Sequence, residues 1–361
     1  MSGIPPGLRA LLLSAVILSV LSACTSQGPT RVPPDSFNYN KAIGQASNEQ
    51  MLLNLVRLRY SEIPVFLVVS SVLTQYVYSG AVGVNGAYGA SLGDPLWSAG
   101  ASATYLYVER PTISYAPLTG REFAEQLLAP IPTEMVFSLV DSGWDPDQIL
   151  LMSMYRINDH LNVAFEASPE GIARIANFQA LVSKFITLAK RGAVELQQHE
   201  DGTDMQRYLV FDDDADPETQ RLIDDLKETL GLDPDHTSYR ITRQVMGREP
   251  DEVTMHVRSI LELMGFLSQG IEIPPIHREQ NRAAPPLHTP DDLQSLIPLH
   301  VSAQVDRPDD VFVAIEYQGH WFYIPHTDHT SKQAFSLLAY LFQMQAPQAP
   351  TAGPMLTVPT G

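Results

Sequence analysis

"VYSGAVGVNGAYGASLGDPLWSAGASATYLYV", Val77 to Val108, decides the kind of fold this chain can adopt. Its only charged residue is Asp94. Alternate residues fall into two classes. Tyr78, Val82, Val84 and Tyr88 share one set of positions before the turn "GDP", and Trp97, Tyr105 and Tyr107, with Ala99, Ala101 and Ala103, share one set after it. The complementary positions hold Ser79, Gly83, Asn85, Ser98, Gly100, Ser102 and Thr104. Period two on both sides of a turn predicts a β-hairpin over 77–108, with a larger apolar face and a small or polar one. The glycines at 80, 83, 86 and 89 lie inside this pattern and are not a phosphate loop.

Upstream, "PVFLVVSSVLTQYVY" (Pro64 to Tyr78) is rich in β-branched and aromatic residues and predicts a strand. "SNEQMLLNLVRLRY" before it has helical spacing, with Ser47 and Gln50 set as a capping box. Downstream, helices are predicted after Thr119, in "PTEMVFSLVDSGW", after the Asp145-Pro146 and Ser168-Pro169 starts, and over "DPETQRLIDDLKETLGL". A hairpin is predicted around "EDGTD", and "SYRITRQVM" reads as a strand. "EPDEVTMHVRSILELMGFLSQG" reads as one long helix with Pro250 near its start. "LHVSAQVD", "DVFVAIEYQG" and "HWFYIPH" read as strands, with a turn at Gly319-His320, followed by the helix "SKQAFSLLAYLFQMQ". Helices and strands mix without a regular βαβ rhythm, which predicts an α+β fold of mixed helices and antiparallel strands carrying a long Gly/Ala-rich hairpin.

The N-terminus bears on location. Arg9 precedes "ALLLSAVILSVLSA", an uncharged apolar run of the length of a signal-peptide core. Cys24, the only cysteine in 361 residues, follows at once. One cysteine makes no internal disulfide, and a free thiol is a liability in an oxidising compartment, so a consumed thiol fits best. Leu21-Ser22-Ala23-Cys24 resembles a bacterial lipobox. The resemblance implies cleavage before Cys24 and lipidation of its sulfur, with palmitate among the acyl groups. With no aspartate following Cys24, it also implies sorting to the outer membrane, on the periplasmic face. The mature chain otherwise resembles only uncharacterised bacterial lipoproteins. The expected organisation is a signal peptide (1–23), a polar tether with three prolines (24–36), a main α+β domain (37–272), a linker with five prolines (273–292), a C-terminal strand-helix module (293–346) and a Pro/Ala-rich tail (347–361).

Composition narrows function. A net charge of −18 repels phosphates and excludes nucleic acid as a natural partner. It also disfavours broad adhesion to anionic lipid, so anchoring falls to the acylated cysteine, and stable anchoring takes more than one chain. His326, Asp328 and His329 could suggest zinc, but lack helical ligand spacing, and Asp328 or Thr330 reads better as a helix cap. The acidic run Phe211 to Glu218 lacks the ordered positions of a calcium loop and reads as a helix N-terminus. No nucleophile elbow, zinc-protease or dinucleotide motif occurs, so neither a catalytic residue, a cofactor nor a metal is expected.

The hairpin is what carries mechanism. Its aromatics bracket small apolar residues as in outer-membrane strands. A lone hairpin cannot sit in lipid, because its edges stay unsatisfied, so copies would have to close a barrel. In architecture that scheme resembles curli-type secretion lipoproteins. The sequence thus supports a lipid-anchored, non-catalytic periplasmic scaffold or assembly component with envelope-protein partners or self-association. An oligomeric export channel built from 77–108 stands beside it, and an envelope hydrolase is a third reading.

Overall fold

The structure, a computed structural model, describes residues 28–91, 94–162, 169–201, 204–244, 246–283 and 297–345. It has two compact units, Met1–Asn48 and Glu49–Gly361. Helix α1 (Gly28–Arg59) begins in the first and ends in the second. Residues 28–36 are therefore helical rather than an extended tether, and Ser47 lies inside the helix instead of capping it. Pro29 sits in the first turn, where a missing N–H is harmless.

The second unit is α+β. A two-stranded ribbon, β1 (Phe66–Ser91) with β2 (Asp94–Leu118), comes first. Three helices follow, α2 (Arg121–Leu128), α3 (Thr133–Asp141) and α4 (Pro146–Ser153). As expected, Asp145 caps α4, its Oδ1 accepting the Asp147 N–H at 3.1 Å, with Pro146 next. Thr119 caps nothing; the N-cap of α2 is Gly120 at φ 96°, with no side-chain cap.

A six-stranded sheet forms the centre, in the order β4 (His160–Leu161), β3 (Met154–Ile157), β8 (Glu252–Val257), β7 (Ser238–Thr242), β6 (Asp204–Phe211), β5 (Val194–Asp201). Helices α5 (Pro169–Lys190) and α6 (Pro217–Leu230) interleave with these strands in sequence. The hairpin around residues 201–204 forms as expected. The sheet is mixed, because β7 and β8 run parallel.

That pairing corrects the single long helix expected over Glu249 to Gly270. Glu252–Val257 is a strand, and helix α7 (Ile260–Ser268) starts only after Ser259. The reason lies in the sequence: "EVTMHV" is β-branched at Val253, Thr254 and Val257, and Ser259 with Glu262 forms a complete capping box, at 3.2 and 2.8 Å. Buried Arg258 secures the junction. Its guanidinium donates to the carbonyls of Leu151, Met152, Met154 and Asn162 and lies 4.2 Å from the Phe266 ring centroid. Burial pulls its pKa down to about 9, which leaves it charged at neutral pH.

Over residues 273–283 the expected linker differs from the structure, and so does the separate C-terminal module. Helix α8 (Pro275–Glu279) buries His277, and Ala283 is buried too; residues 284–296 lie outside the described set. Strand β9 (Ser302–Gln304) joins β11 (His320–Pro325), which pairs with β10 (Val311–Tyr317); helix α9 (His329–Gln345) follows. This segment shares one core with the rest of the unit, running from Leu52 and Leu55 of α1 to Leu338 and Phe342 of α9. Gly270 makes the junction possible. A Cβ there would meet the Leu299 carbonyl oxygen at 1.8 Å, and Ile271 bridges Val301 beside it. The β10–β11 turn is centred on Gln318 and Gly319, at φ 49° and 79°, one residue earlier than the sequence suggested.

Candidate functional site, a long ribbon and its root

The ribbon begins in the core. Phe66, paired with Leu118 in the ladder, is 1% exposed and stacks on Phe342 with ring centroids 4.4 Å apart. Phe123 meets it edge-on at 5.9 Å. One turn apart on α1, Gln50 and Asn54 stand in for a neighbouring strand. Asn54 Nδ2 donates to the Val65 carbonyl at 2.8 Å, and the Val65 N–H donates to Asn54 Oδ1 at 2.9 Å. Gln50 Nε2 donates to the Leu67 carbonyl at 3.0 Å, and the Leu67 N–H donates to Gln50 Oε1 at 2.8 Å. Two side-chain amides at i and i+4 thus satisfy two backbone positions at i and i+2. Beyond Leu67, neither outer edge of the two-stranded ribbon has a strand partner among the described residues.

A β-bulge then sets the faces. Val69 opposes Tyr115 and Ser71 opposes Ser114, leaving Ser70 as the extra residue, its Oγ donating to the Ser114 carbonyl at 3.1 Å. Before the bulge, the face away from the core holds Leu67, Pro117 and Tyr115. After it, the same face continues through Val72↔Ile113 to Tyr78↔Tyr107, Gly80↔Tyr105, Val82↔Ala103, Val84↔Ala101 and Tyr88↔Trp97. The register therefore brings Tyr78, Val82, Val84, Tyr88, Trp97, Tyr105 and Tyr107 onto one face, as alternation in each arm suggested. The opposite face holds the pairs Ala81↔Thr104, Gly83↔Ser102 and Asn85↔Gly100. Ser102 Oγ donates to the Gly83 carbonyl across it at 3.4 Å.

The ribbon is longer than 77–108. It spans residues 66–118, and β1 alone is 26 residues, ~85 Å at ~3.3 Å each. Between Phe66 and Leu118 the only charged residues are Asp94, Glu109 and Arg110. At the root, where side chains are described, the outer face is open: Leu67 is 43%, Ile113 37% and Tyr115 55% exposed. A contiguous exposed apolar face of this kind marks an interaction surface. Tyr78↔Tyr107 and Tyr88↔Trp97 lie ten residues apart, ~33 Å along the strand and ~25 Å in height at a tilt of ~40°, the height of the apolar band in outer-membrane barrels. Glu109, opposite Tyr76, falls just outside that band.

The sequence reading missed three features of this site: the amide clamps, the bulge, and the exposed face at the root. Only the clamps left a signal, two carboxamides at helical spacing just before a strand.

The other candidates resolve into structure. Asp328 Oδ1 accepts the Ser331 N–H at 2.9 Å and so caps α9, while His326 Nε2 lies 3.8 Å from Asp310. In the acidic run, Asp216 caps α6, accepting the Glu218 and Thr219 N–H groups at 2.9 and 3.2 Å. The Thr219 hydroxyl, then its backbone N–H, holds the Asp216 carboxyl below the usual carboxylate range. Among the described residues no three His, Cys, Asp or Glu side chains cluster as metal ligands. Among them, too, no helix is long and apolar enough to cross a membrane, which says nothing of β-strands. Cys24 and the ribbon tip, residues 92–93, lie outside the described residues. Compared with known proteins, this chain matches no family model, no curated protein and no solved structure.

Proposed function

We propose that this chain is a lipid-anchored envelope protein whose ribbon pairs edge to edge with ribbons of further copies, closing a β-barrel pore in the outer membrane. The observation that carries the reading is the ribbon itself. It is two strands wide, ~85 Å long, open at both edges beyond Leu67 among the described residues, and apolar on one face from Tyr78↔Tyr107 to Tyr88↔Trp97. A two-stranded ribbon is marginal in water, and unsatisfied edges are excluded from lipid. Pairing β1 of one copy with β2 of the next satisfies both edges. It also puts Tyr78, Val82, Val84 and Tyr88 toward lipid and Gly83, Ser102 and Thr104 toward a water-filled lumen. The aromatic pairs then lie at the two interfaces. Acylation of Cys24 would hold each copy at the membrane before assembly. The body, packed on one core, would be the periplasmic base from which the ribbons rise.

A scaffold role is the second reading. It is favoured by the exposed root, Leu67, Ile113 and Tyr115, which lies outside the proposed lipid band and also suits a protein partner. The two readings separate in planar bilayers. A pore gives stepwise conductance from the detergent-extracted wild type, and a scaffold gives none. The anchor is tested separately by Cys24→Ala: palmitate incorporation and membrane retention should both be lost, and unchanged fractionation would contradict the lipoprotein reading.

A further inference from the structure

A cleft of about 510 Å³ opens between the central sheet and helices α3, α4 and α5. Its floor is Met154, Val182, Leu209 and Met255, all buried, and its walls include Phe137 and Phe185. The cleft falls within the volume range of small-molecule sites. The floor offers no polar group to orient a polar ligand.

Charge appears only at the mouth. Glu195 is already engaged by the Gln197 side-chain amide. Lys190, at the last turn of α5, is exposed, and its side chain makes no ion pair or hydrogen bond among the described residues. We propose that this cleft binds a single acyl chain carrying an anionic head, the chain lying over Met154, Val182, Leu209 and Met255 and the head pairing with Lys190. An unbranched chain suits an uneven apolar space. Lys190 is the single cation among the described residues lining the cleft, and with the Glu195 carboxylate taken up by the Gln197 amide it is the group left to pair with an anionic head. The proposal does not depend on the barrel reading, since the cleft lies wholly in the body.

The test uses the full chain held in a steroid-type detergent, whose rigid body does not mimic an acyl chain. The probes are radiolabelled palmitate, 1-palmitoyl lysophosphatidylglycerol and neutral monopalmitoylglycerol. Wild type should take up about one palmitate or lysophospholipid per chain, saturably, and whichever binds more tightly identifies the source as free fatty acid or membrane lipid. Lys190→Glu should weaken both anionic probes about tenfold and leave the neutral one unchanged. Ala189→Trp, at an exposed position on the lip, should block all three without lowering the melting temperature. If it folds poorly, Leu196→Trp blocks the mouth from the opposite side. No saturable uptake by wild type, or uptake undiminished in a folded blocking variant, overturns the site. Binding indifferent to Lys190→Glu overturns the anionic head.

Discussion

The ribbon and the central sheet are built from similar alternating strands, yet they solve the same problem in opposite ways. In the sheet, Leu209, Tyr239, Val253 and Met255 are buried within the unit's own core, and the β4 edge is only two residues long. In the ribbon, strands of 26 and 25 residues extend with no third strand among the described residues, and Leu67, Ile113 and Tyr115 stay exposed where they leave the body. Alternation creates an apolar face but does not supply its cover. The body supplies it with helices; the ribbon leaves it for another molecule, with Gln50, Asn54 and the Ser70 bulge marking the border.

If the two regions are energetically separate, core damage should leave ribbon chemistry alone. The largest effect belongs to Phe178→Ala, at a fully buried position on α5. It should lower the unfolding free energy of the body by about 3–5 kcal/mol in urea titration, while the folded fraction keeps the wild-type oligomer size. Gly270→Ala comes next. Its new methyl must displace the Leu299 backbone, at a cost of about 3 kcal/mol, and limited proteolysis should show the segment after Gly270 loosened first. Gly83→Ala in the ribbon meets only the Ser102 hydroxyl and should have a small effect on the same assay.

At the border, Asn54→Ala strips partners from the Val65 N–H and carbonyl, at a cost of about 2 kcal/mol. Hydrogen exchange should quicken at Val65 and leave the six-stranded sheet unchanged. The smallest effect is a pH slope. The Tyr60 hydroxyl shares a 2.6 Å hydrogen bond with His277 Nδ1, and the His320 ring lies 4.6 Å away. Burial first, then His320 and Arg282, hold the His277 pKa below 6.5. The unfolded chain therefore takes up a proton near pH 6.5 that the folded state resists. Stability should fall as pH drops through 6.5 toward the folded pKa and level off below it. His277→Gln should flatten that slope in thermal melts, and an unchanged slope would place its origin elsewhere.

Much of this was legible in the sequence where local chemistry decides. Period two gave the hairpin and both of its faces, and Asp145-Pro146 gave the start of α4. What was hidden depends on residues distant in the chain. Glu252–Val257 reads as the front of a helix until β7 is beside it, even though Ser259 and Glu262 mark where the helix begins. Gly270 looks like the end of a helix, and only the approach of Leu299 shows that the chain beyond the proline-rich stretch returns to the same core. On β1 the strand from Pro64 into the hairpin was legible; on β2 the extension to Leu118 was hidden by Glu109, Arg110 and Pro111, two charges and a proline that read as the end of a strand.

The mass of the detergent-extracted, lipidated protein, measured by light scattering for wild type, Val84→Arg and Ser102→Arg, tests the pore most directly. Val84 and Ser102 lie about midway between the Tyr78↔Tyr107 and Tyr88↔Trp97 pairs, on opposite faces of the ribbon. Wild type and Ser102→Arg should both run as a ring of many copies, because an arginine in a water-filled lumen is tolerated. Val84→Arg places a charge at mid-bilayer depth, costs about 2–4 kcal/mol per copy, and should dissolve the ring while the body melts as before. A wild-type monomer, or a ring of unchanged mass from Val84→Arg, would contradict a membrane-embedded ribbon.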